Sequence, residues 1–253
     1  MPKALLIVEG ARLEPRFFSR LADVLNMRVE IVPFCANIYQ LYRKLEEYGF
    51  NYDVKQALLE QNPTDEARAV LSRKYAYTYL IFDCDAQDRG KMLNGVKNCE
   101  LDEIVMSNYG LLKKMVAYFT DETDPDRGKL YVNYPMMESF RDADDFFDES
   151  YEQRMVDFAN LDNYKEIVGI RKLASRHIDN FSKDDICSLL HMNLCKLLYM
   201  VQNDWRLPDI NQYMRIDVQN DVLAVQCGLG CKSLMHVINT SIFLPIDYFG
   251  KVL

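Results

Sequence analysis

The apolar run Ala4-Leu5-Leu6-Ile7-Val8 ends abruptly in Glu9-Gly10. A short continuous apolar run closed by a turn signal suits a strand covered on both faces, as in a parallel sheet. Five residues after Glu9 comes Glu14, then Pro15 and the pair Phe17-Phe18. Proline suits the first helical position, because its missing N–H would be unpaired there anyway. The stretch therefore predicts a buried strand, a tight turn and a helix start. It also places two carboxylates at the carboxyl end of the strand, where open α/β sheets bind ligands.

The alternation continues through the first 140 residues. Strands are expected at about 3–9, at Arg28 to Phe34, at Tyr75 to Asp85 and at Lys129 to Tyr134. Helical spacing appears at Phe17 to Leu25, from Asn37 to about Lys74 with a break at Asn62-Pro63-Thr64, and from Leu101 to Phe119. Thr120 to Gly128 reads as a charged turn. Strands alternating with helices predict an α/β fold with a mainly parallel four-stranded sheet and helices on both faces. This domain is expected over 1–145. A helical C-terminal region over 146–253, packed on it, is expected to follow. Ser182 and Asp185 form a capping-box pattern ahead of Ile186, Leu189, Leu190, Leu194, Leu197 and Leu198. Two further helical patches are expected at about 209–226 and 231–243.

About half of the 253 residues are apolar, enough for a substantial core. The formal net charge of -8 argues against a protein that coats itself in nucleic acid. It leaves open a phosphodiester held by a local basic patch or through metal ions. No apolar run reaches the roughly 18 residues of a transmembrane helix. No signal peptide is read ahead of Lys3, and the seven cysteines are odd in number, so a reducing cytoplasm is expected. Cys84 and the Cys227/Cys231 pair lack a completing set of Cys or His for a zinc site. His191 and His236 sit among apolar residues and read as core-edge groups. There is no phosphate loop of the G-x-x-x-x-G-K-[ST] kind.

Glu9, Asp83, Asp85 and Glu138 all fall just after apolar strands, and Glu14 lies one helix turn beyond the first. Clustered carboxylates repel one another unless a cation neutralises them. Hard oxygen ligands of this kind suit Mg²⁺, which polarises phosphoryl oxygens and lowers the pKa of bound water. Strand-end acids also arise simply because helix N-termini favour them, and Glu14 alone suits a helix cap. Arg12, Arg16 and Lys91 lie near the acidic edge and could grip phosphates or merely balance the acids. Arg171, Lys172, Arg176 and His177 form a local basic patch that reads as a solvated helix face.

Glu9-Gly10, Glu14-Pro15 and Phe17-Phe18, with Asp83-x-Asp85 after a later strand, resemble a Toprim domain. Within that group they resemble the RloB-like proteins of restriction and abortive-infection loci, whose first motif is E-G-x-x-T-E-P-x-Y-F. This chain carries Leu13 and Phe17 where threonine and tyrosine are usual. Asn133 to Phe140 loosely resembles a later asparagine-proline motif leading to a glutamate, with Tyr134 intervening. The resemblance covers residues 3–140 and implies a Rossmann-like Toprim core that binds Mg²⁺, with Mn²⁺ as a substitute. It implies Glu9 as general acid or base, Asp83 and Asp85 as catalytic metal ligands, and Glu14 and Glu138 as further candidate ligands. The expected function is then a metal-dependent antiphage nuclease acting on DNA or RNA, tRNA included. The rival expectation is a non-catalytic sensor or interaction module on a degenerate Toprim scaffold, held by a partner such as an ATPase or by a second copy.

Overall fold

The computed structural model describes residues 2–50, 53–60, 63–88, 100–124, 127–203 and 210–250. The described chain is a mixed α/β fold with a five-stranded, mostly parallel sheet in strand order β2-β1-β3-β5-β4. It clusters into two compact units, one of residues 1–83 and 115–131, the other of 84–114 and 132–253.

In the first unit, β1 (Lys3–Val8) is central because its apolar run can be covered on both faces. Ala4 to Val8 are fully buried. Parallel pairing sets Leu6 opposite Ile31 of β2 (Arg28–Pro33) and opposite Tyr79 of β3 (Tyr77–Asp83). Between β1 and β2 lies α1 (Leu13–Leu25), which buries Phe17, Phe18 and Leu21 as its spacing predicts. Pro15 is its third residue rather than its first. The position is still within the first turn, where no N–H has an intrahelical partner. Pro33 is tolerated because β2 is an edge strand.

The expected helical stretch after residue 37 divides into α2 (Ile38–Glu47), α3 (Val54–Leu59) and α4 (Asp65–Leu71). Each begins at a side chain that accepts a backbone N–H: Asn37, Asp53 and Thr64. Downstream, α5 (Leu101–Tyr118) precedes β4 (Thr120–Asp121), which pairs antiparallel with β5 (Gly128–Asn133). The charged turn thus contributes a short edge strand, and the sheet has five strands rather than four.

In the second unit, β6 (Met155–Asp157) and β7 (Leu234–His236) form a separate antiparallel pair. They flank α6 (Tyr164–Gly169), α7 (Lys183–Gln202), α8 (Ile210–Tyr213) and α9 (Val218–Gly230); α10 (Leu244–Phe249) follows. The helix expected over 231–243 is instead β7 and a 3₁₀ turn at Thr240–Phe243. The capping box at Ser182 and Asp185 forms as the sequence predicts. Lys196 of α7 is fully buried and donates to the carbonyls of Glu152 and Arg154, at 2.7 and 2.8 Å. It also meets His236 Nδ1 at 3.1 Å. A charged Lys196 only donates, and in that state Nδ1 accepts and the imidazole proton sits on Nε2.

Candidate functional site

The strand-end acids were the expected site, and β1 and β3 are neighbours, so Glu9 and Asp83 do meet. They meet as carboxylate and backbone amide. Asp83 N–H donates to Glu9 Oε2 at 2.9 Å. The Glu9 backbone is also fixed: its N–H donates to Ile81 and its carbonyl accepts from Cys35. Glu14 turns back along its own loop and accepts the Gly10 N–H at 3.0 Å. Glu14 and Asp83 are both buried. The Glu14 and Glu9 carboxylates therefore fasten the turn after β1 and the end of β3, each by a charge-assisted hydrogen bond from a backbone N–H.

The remaining acids are arranged differently. Asp85 lies in the second unit with a left-handed backbone, φ 41°, and its carbonyl closes a turn by accepting from Asp88 N–H. Glu138, also in the second unit, pairs with Lys165 at 3.3 Å. Among the described residues, no group of three or more His, Cys, Asp or Glu side chains is placed to hold a metal ion. That overturns the expected Mg²⁺ or Mn²⁺ centre at Glu9, Glu14, Asp83, Asp85 and Glu138. With it goes the metal-dependent nuclease built on Glu9, Asp83 and Asp85. Proximity of acids in a strand-end pattern does not make a donor set when carboxylates are spent on backbone N–H groups.

Arg12 and Arg16 are exposed at the start of α1. Lys91, the third candidate phosphate contact, lies outside the described residues.

A different concavity occurs in the second unit. A cavity of about 270 Å³ is lined by Phe146, Arg176, His177, Asn180, Phe181 and Asp185, among others. Phe146 and Phe181 meet edge to face with centroids 5.0 Å apart. The Arg176 guanidinium lies 4.9 Å from the Phe146 ring centre and reaches Asp145 at 3.4 Å. Arg176 and His177 had read as part of a solvated helix face. Instead they follow a 3₁₀ turn, Leu173–Ser175, just ahead of α7. The sequence signal was present as an Arg-His pair close to a helix cap, but nothing local showed that Phe146 would pack beside it.

The fold and these side chains define a mixed α/β protein with a mostly parallel sheet and acids used for fastening. No family model matches the chain, and no curated protein or solved structure matches it. No helix among the described residues is long and apolar enough to cross a membrane.

Proposed function

We propose that this chain is a non-catalytic sensor or interaction module on a degenerate scaffold of the RloB-like Toprim type, cytoplasmic and held by a partner protein or a second copy. The motif-level resemblance supports the scaffold: Glu9-Gly10 follows β1, Glu14 opens α1, and Asp83 ends β3. The observation that carries the non-catalytic reading is the Asp83 N–H bond to Glu9 Oε2. The group that would move a proton in an enzyme of this kind is here a structural acceptor.

Two measurements test it together. Calorimetric titration with Mg²⁺ and Mn²⁺ should give no heat that Asp83→Asn or Asp85→Asn removes. Glu9→Gln keeps an acceptor oxygen and should retain near-native stability. Glu9→Ala should lose about 1–3 kcal/mol in urea denaturation, the cost of an unsatisfied buried N–H. Saturable metal binding lost in the aspartate variants would defeat the reading.

A further inference from the structure

The geometry points to a binding site for a small zwitterion of the α-amino-acid class in the cavity beside the start of α7. This deepens the sensor reading and rests on it only for its biological consequence; the binding itself stands or falls alone.

The cavity brings together opposite charges whose hydrogen-bonding capacity is only partly used. Asp185 spends Oδ2 on the Ser182 N–H and hydroxyl, at 2.7 and 2.8 Å. Its Oδ1 keeps its acceptor capacity, and Asp185 is one of the residues lining the cavity. Arg176 uses one terminal nitrogen on Asp145, and its Nε and other terminal nitrogen remain donors. His177 and Asn180 are exposed side chains that line the same space. The lining therefore offers a fixed cation, a fixed anion and two groups able to donate and accept.

A simple anion would gain Arg176 but face Asp185 and Asp145, and a simple cation would face the reverse conflict. A molecule carrying a carboxylate and an ammonium matches both. Its carboxylate, an acceptor only, suits the planar guanidinium fork, and its ammonium, a donor only, suits Asp185 Oδ1. The volume corresponds to roughly nine waters at about 30 Å³ each, room for a single amino acid. Guanidinium stacking on Phe146 limits the freedom of Arg176, so less ordering cost remains to be met on binding.

The test is calorimetry of the full chain against each of the 20 common free L-amino acids at neutral pH. At least one should bind with a stoichiometry of one. Its decarboxylated amine and its N-acetyl derivative should each bind about tenfold or more weakly, the loss expected for one charge-assisted hydrogen bond. Arg176→Gln and Asn180→Ala touch exposed side chains and should keep the native melting temperature, and Arg176→Gln should weaken binding by a similar factor. Arg176→Lys, which keeps the charge without the fork, should fall between. Absence of binding across the panel overturns the inference, and so does binding indifferent to both Arg176→Gln and Asn180→Ala. Either failure leaves the non-catalytic reading standing, since that depends on Glu9 and Asp83.

Discussion

Glu14 shows how a single side chain can carry the signature of one role while performing another. Its spacing from Glu9 raised the expectation of a metal ligand, yet its carboxylate accepts the Gly10 N–H. The glycine makes this possible. A Cβ at position 10 would lie 2.5 Å from Glu14 Oε2 and 2.7 Å from Oε1. Alanine there can be accommodated only if the flexible carboxylate swings away, which breaks the hydrogen bond it makes. Gly10→Ala should therefore cost about 1–2 kcal/mol in chemical denaturation, a lost charge-assisted bond. The pair should be strongly non-additive, with Glu14→Ala costing far less in the Gly10→Ala background than in the native chain. Additive losses would show that the glycine matters for another reason. Sequence alone could place Glu14 at a helix start, as it does. It could not decide between ligand and fastener, because that depends on where a rotatable carboxylate finds a donor.

Elements with long or strongly periodic patterns were legible. The buried β1, the Phe17-Phe18-Leu21 face of α1 and the long α5 and α7 all formed close to their expected spans. Short elements were not. β6 and β7 have three residues each, too few for a period to emerge, and exist because Val156 can pair with Met235 across the chain. Leu234 to Ile238 looked helical by its neighbours, and tertiary pairing overrode that preference. The start of α7 was the clearest local signal of all. Asp185 N–H donates to Ser182 Oγ at 3.1 Å, and the Asp185 carboxylate accepts from the Ser182 N–H at 2.7 Å. Ser182→Ala removes one half of this box and should lower stability by about 1 kcal/mol in urea melts. Ser182→Asp, which restores an acceptor at the cap, should recover most of it. Failure of the aspartate to rescue would mean that Ser182 acts through something other than its cap.

At the scale of the molecule, an acidic chain with a net charge of -8 would be expected to owe its pH sensitivity mainly to carboxylates. The second unit adds a further dependence through a histidine. His236 is pushed down to about 3, first by burial and then by the neighbouring Lys196 charge. Burial also draws the Lys196 ammonium below the usual lysine range. Two cations facing each other at 3.1 Å would repel, so a charge on Lys196 disfavours a proton on the imidazole. Tyr199 packs edge-on to the imidazole from α7, and the His236 backbone is bound on both sides by the Gln226 carboxamide. In the unfolded chain the same histidine takes its proton near pH 6.5. Between pH 6.5 and about 3 the unfolded state thus holds a proton that the folded state refuses. The stabilising contribution is fully present above pH 6.5 and is lost on acidification, at up to about 1.4 kcal/mol per pH unit. Urea denaturation at pH 7, 6, 5 and 4 should show this slope on top of the carboxylate background. His236→Gln keeps a hydrogen-bonding side chain without the ionisation and should flatten the curve over pH 6 to 4, at the expense of some stability at pH 7. An unchanged slope in that variant would shift the acid sensitivity to the carboxylates and leave the Lys196–His236 contact as packing alone.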